Sequence, residues 1–168
     1  MSLAVAIVGA VVAALLETSV APYLQVGGVT PDLVLITAIV CTETVSAEAG
    51  FVWAFAGGLM LDFLLAPARP AGATIVALLV CVGLAAVAAR VVGRNPVVTA
   101  IVSVFVLTFV FRLVLAAVLG VTIGGVALSN PLGSLLPVAV ENTILAIPLA
   151  YGFRLAWIRF GTHDRIEW

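Results

Sequence analysis

Residues 97–119 read VVTAIVSVFVLTFVFRLVLAAVL, an apolar run with a single charge, Arg112. About 20 apolar residues in a helix cross a bilayer's hydrocarbon, so this run is long enough to span one. The pattern recurs along the chain. Spans are expected over 3–22, 32–47, 49–66, 72–90, 97–119 and 134–156. Turn-forming residues separate them: Pro22 to Pro31 enclose Gly27-Gly28, Pro67 and Pro70 flank Arg69, and Asn95-Pro96 follows Gly93-Arg94. The last break, 120–133, holds Gly124, Gly125, Asn130, Pro131 and Gly133.

With 64% hydrophobic and only 9% charged residues, the chain has too much apolar surface for a soluble core to hide. The runs are continuous and lack the alternation of outer-membrane strands. The expected fold is an all-α polytopic membrane protein of six transmembrane helices, in one integral-membrane domain over 1–168. The second and third spans are short and joined by a tight turn. The N-terminal run lacks the basic flank of a signal peptide and is longer than its apolar region, so it reads as a retained first helix. No internal repeat argues for an inverted-topology transporter.

The net charge of −1 gives no electrostatic case for nucleic acid. Cys41 and Cys81 are far apart, form no C-x-x-C pair and read as buried, inert thiols. The motifs of P-loops, zinc proteases and nucleophile elbows are missing. The lone histidine, His163, lies in an exposed tail, and Ser19, Ser46, Ser103, Ser129 and Ser134 have no base nearby in sequence. An intramembrane aspartyl enzyme needs paired aspartates at depth, whereas Asp32 and Asp62 are expected near the surface. A non-catalytic protein without cofactor or metal is the expectation.

Arginine placement gives the orientation. With the N-terminus inside, the inner segments carry Arg90, Arg94, Arg154, Arg159 and Arg165, and the outer loops carry only Arg69. This asymmetry puts both termini in the cytoplasm. Trp157 and Phe160 then sit in the interface, with Arg154 and Arg159 toward the headgroups of membrane lipids.

In that orientation Glu17, Asp32 and Asp62 fall near the outer ends of the first three spans. Arg112 lies roughly 10 Å below the outer end of the fifth, and Glu141 at matching depth in the sixth. A charge at a span's centre costs about 2.5–3.5 kcal/mol, so these residues need partners. Arg112 is expected to pair with Glu141 or with Asp62. The pair either fixes helix packing, or lines an outward cavity, or contacts a partner helix. Glu43 and Glu48 flank the inner turn and read as solvated acids at headgroup level, or as contacts for a cytoplasmic partner. In the third span Gly50, Ala54, Gly58 and Asp62 recur every four residues, a small-residue row suited to close helix packing. Asn142, between Pro137 and Pro148, is expected to hydrogen-bond across helices.

These residues also carry a resemblance. The segment TPDLVLI, 30–36, resembles the opening of the second span in the rod shape-determining MreD family. FAGGLMLD, 55–62, resembles that family's third-span pattern through Phe55, Gly58 and Asp62, with Ala54 where glycine is usual. AGATIVALLV, 71–80, resembles the segment after its short loop, with Ala71 in place of leucine. Asn142, Pro148 and Arg154 match only loosely. The resemblance implies a non-catalytic subunit of the bacterial rod complex, or elongasome, in the inner membrane. It would scaffold or regulate lateral peptidoglycan synthesis and cell shape with MreC, and through the complex with MreB, RodA and a class B penicillin-binding protein. It also implies a fold resembling the S-components of energy-coupling transporters. That likeness supplies the alternative, a substrate-binding subunit for a vitamin or metal in which Glu17, Asp32, Asp62, Arg112 and Glu141 line an outward cavity.

Overall fold

A computed structural model describes residues 3–24, 29–66, 70–92, 95–123 and 131–160. These residues form six α-helices: α1 (Leu3–Ser19), α2 (Leu33–Thr44), α3 (Ala47–Leu64), α4 (Ala73–Val92), α5 (Pro96–Ile123) and α6 (Pro131–Phe160). The expected first span continues past α1 into a 3-10 turn at Ala21–Tyr23. Pro22 sits at the start of that turn, where its missing N–H loses no bond. Pro96 and Pro131 open α5 and α6 for the same reason.

Five of these segments, all except α2, are long and apolar enough to cross a membrane. The chain is thus an all-α, multi-pass membrane protein. At 12 residues α2 is about 18 Å long, well short of a hydrocarbon core of about 30 Å. It does not meet lipid. Residues Val34 to Glu43 are all buried, and α2 packs against each of the other five helices. A short helix is tolerated at this depth because protein, not lipid, surrounds its ends.

Small residues set the packing. Ala6, Ala10, Ala13 and Ala14 form the buried side of α1, while Val8, Val12 and Leu15 are exposed. Inside the bilayer no hydrophobic force draws helices together, so close van der Waals contact over small side chains replaces it. On α3, Ala54 is fully buried. A side chain at Gly50 would collide with Thr42 of α2, and one at Gly57 would approach Val34 Cγ1 of α2 to 2.6 Å. At Gly58 it would lie 3.0 Å from the Ile75 Cα of α4. The expected row of small residues thus winds from one neighbour to another, as its drift of about 40° per four residues requires.

Trp53 ties this face together. Its ring covers Gly9 of α1, its indole N–H donates to Thr37 Oγ1 on α2 at 2.9 Å, and it meets Phe153 of α6 edge-on at 5.6 Å. Cys41 and Cys81 are separate buried thiols. Between α2 and α3 only Val45 and Ser46 intervene. Ser46 Oγ accepts from the Ala49 N–H at 3.2 Å as an N-cap, and exposed Glu48 in the first turn favours the positive end of the α3 dipole.

Candidate functional site

Polar side chains from four helices meet at the N-terminus of α2. A helix leaves its first N–H groups without internal partners, and burial makes that costly. The side chain of Asp32, at the N-cap, does not serve them. Glu17 of α1 does so instead: its Oε2 accepts from the Val34 N–H at 2.7 Å. Asn142 of α6 accepts through Oδ1 from the Asp32 N–H at 2.9 Å.

The Asp32 carboxylate is thereby released for a different contact. Arg112 of α5 donates from Nη2 to both its oxygens, each at 2.8 Å. Asn142 Nδ2 donates to Asp32 Oδ2 at 3.1 Å and to Thr108 Oγ1 on α5 at 3.2 Å. Thr108 in turn donates to the Val104 carbonyl at 2.7 Å. Asn142 and Thr108 are fully buried, whereas the Arg112 side chain stays 27% exposed and gives the cluster its open side. Arg112 Nε and Glu141 Oε2 are both buried without a hydrogen-bond partner among the described residues.

Arg112 therefore pairs with Asp32, in place of the expected Glu141 or Asp62. The reason is the brevity of α2. Its N-terminus lies well inside the bundle, which brings Asp32 down to the level of Arg112. Of the six polar residues singled out from the sequence, Asp32, Arg112 and Asn142 bond directly to one another. Glu17 joins them through the first turn of α2, and Glu141 flanks them beside Asn142 on α6. Asp62 stands elsewhere. It reaches from α3 to the first turn of α4, where Oδ2 accepts from the Gly72 N–H at 2.8 Å and Oδ1 from the Thr74 N–H at 3.1 Å. Backbone amides and the helix dipole, in place of a cation, support this buried carboxylate. Gly72 holds φ at +95°, a conformation suited to glycine, and this lets its amide turn toward Asp62.

A second correction concerns the other end of α2. Glu43 is not solvated: it is buried, and its Oε1 accepts from Ser103 Oγ of α5 at 2.8 Å. Its Oε2 has no partner among the described residues. Glu48 alone of that pair is exposed. Sequence reasoning overlooked Thr108 and Ser103. Thr108 had a signal, since it precedes Arg112 by four residues and shares its helix face. Ser103 had none, because its partner lies 60 positions away. His163, Arg69, Arg94 and Arg165 lie outside the described residues.

The Asp32 cluster is suited to holding helices in register and to presenting a guanidinium edge on one side. In comparisons with protein-family models, with curated proteins and with solved structures, nothing matches the chain.

Proposed function

We propose that this chain is a non-catalytic subunit of the bacterial rod complex. It resides in the cytoplasmic membrane as six spans, with α2 as the short central one and both termini inside. In this reading it works with MreC to scaffold or regulate lateral peptidoglycan synthesis, as an MreD-like protein would. The observation that carries it lies in the motif segments of the resemblance. Asp32, from TPDLVLI, is the hub that joins α2 to α5 and α6. Asp62, from FAGGLMLD, clasps the start of α4 at AGAT. Both acids are engaged in building the bundle, which suits a scaffold better than a reaction centre.

A second reading, an S-component-like binding subunit, is favoured by one feature. Among the described residues, Arg112 Nε and Glu141 Oε2 are left as a donor and a carboxyl oxygen without partners, in the same outer cluster. A polar solute at that cluster would find both. Affinity purification from gently solubilised membranes separates the readings. Recovery of an MreC-like protein with cell-wall synthases is the expected result. Recovery of a transporter ATPase module without cell-wall proteins would overturn the proposal and favour the solute-binding subunit.

A further inference from the structure

Glu43, in the last turn of α2, is only 9% exposed. One carboxyl oxygen, Oε1, accepts from Ser103 Oγ of α5 at 2.8 Å. The other, Oε2, is buried with no partner among the described residues. Ser103 lies about 10 Å along α5 from its first residue. That is further than the roughly 6 Å by which so long a helix overhangs each side of a hydrocarbon core on which it is centred. The pair therefore sits within the apolar layer, enclosed between helices.

No cation answers this carboxyl among the described residues. Arg112 of α5 is bonded to Asp32, at the other end of α2. Arg90 of α4, Arg154 and Arg159 of α6, and Glu48 of α3 are all exposed. Glu17 of α1 and Asp62 of α3 accept from the backbone N–H groups that open α2 and α4, and Glu141 of α6 stands beside Asn142, which bonds to Asp32. Cys81 of α4 is a buried thiol directed at the Leu107 carbonyl. An ionised carboxylate in such surroundings is far costlier than the neutral acid, so a proton takes the place of a counter-ion. Ionisable side chains enclosed at this depth commonly mark proton or ion sites.

We propose that Glu43 and Ser103 form a proton-binding site between α2 and α5. The proton sits on Oε2, while Oε1 remains the acceptor of the Ser103 hydroxyl. The exposed turn just past α2, at Ser46, gives it a short route to water. Release of the proton leaves a bare charge between two helices. The packed bundle is then the state that holds the proton, and alkaline conditions weaken the contact between α2 and α5. The site goes beyond any role in the rod complex, since it uses neither the Asp32 cluster nor Asp62.

The test is infrared spectroscopy of the full-length protein in lipid bilayers at neutral pH, read as the difference between the parent and Glu43→Gln. The expected difference contains the C=O stretching band of a protonated carboxylic acid, which a carboxylate lacks. Ser103→Ala removes the hydroxyl that bonds to Oε1 and should move that band to higher frequency without abolishing it. Raising the pH should replace the band by those of a carboxylate and lower the melting temperature of the parent. Glu43→Gln, a neutral mimic of the acid, should be spared that loss. A difference spectrum with carboxylate bands alone would overturn the proposal, as would an acid band that Ser103→Ala leaves unmoved. Equal alkaline destabilisation of the parent and Glu43→Gln would overturn it too. Should Glu43→Gln fail to fold, the shift of the acid band between the parent and Ser103→Ala decides the matter, and its absence counts against the site.

Discussion

Arg112 offers one nitrogen to both oxygens of Asp32 and leaves Nε without a partner among the described residues, so the pair is held by position and not by a fork-to-fork fit. Removing one member of a fully buried pair strands the other at about 3–5 kcal/mol, and the open side at Arg112 puts this pair toward or below the lower end of that range. Arg112→Leu is expected to lower thermal stability in detergent by an amount of this order. Asp32→Asn should recover part of the loss, because an amide keeps the bond to Asn142 without the stranded charge. Rescue by Glu141→Gln or Asp62→Asn instead would show that Arg112 pairs elsewhere. Asp62 belongs to a different joint and has a different signature. Asp62→Ala leaves the buried Thr74 N–H and the Gly72 N–H without their acceptor, for a loss of about 1–3 kcal/mol. Asp62→Asn retains an acceptor and should lose less, as read by thermal melting of the purified protein. Equal loss in both variants would mean that the charge, and not the hydrogen bonds, matters. The expense of a charged or polar group in an apolar run marked Asp32, Asp62, Arg112 and Asn142 from sequence alone. Their pairing was hidden, because depth was judged from span ends and α2 is shorter than its apolar run.

At the level of helices, small residues mark much of the inward side of α1 and α3, while large apolar ones such as Val8 and Phe55 face outward. Gly58 lies against the backbone of α4 at Ile75, and the position a side chain would take is already crowded. Gly83, on α4, has nothing within 4 Å of that position. Gly58→Leu is therefore expected to destabilise by about 1–3 kcal/mol or more through overpacking, and to loosen α3 from α4. Gly83→Leu should stay within about 0.5 kcal/mol of the parent. Steric-trap or thermal unfolding in bicelles reads both, and equal effects would refute the packing account. The every-fourth spacing of Gly50, Ala54 and Gly58 made this face legible in the sequence. Gly57 escaped that spacing, although it faces α2 closely at Val34. The drift of a four-residue row around the helix explains why: by Gly58 the row has moved on to α4, so a second small position, Gly57, keeps the close approach to α2.

For the whole molecule, the continuous apolar runs were enough to place the helices of the described residues in order, with ends within a few residues of the expected ones apart from the extended termini of α5 and α6. They could not give the arrangement. Every run is apolar all round, so periodicity does not say which helix is surrounded by the others. Only the shortness of the second run hinted that α2 needs protein and not lipid around it. The arrangement has a consequence for topology. At 28 residues α5 is about 42 Å long, so its ends project beyond a hydrocarbon core of about 30 Å. Val121 near its C-terminal end is 88% exposed, and Val91 at the end of α4 is 79% exposed. If the arginine asymmetry sets the orientation, these two residues face opposite sides of the membrane. Cys41 and Cys81 are buried and should stay silent toward a maleimide. In intact cells an impermeant maleimide should then label Val121→Cys at once, and Val91→Cys only after the membrane is permeabilised. The reverse pattern would place the N-terminus outside. That result would also move the Arg112–Asp32 cluster to the cytoplasmic half, where it could not meet a periplasmic partner.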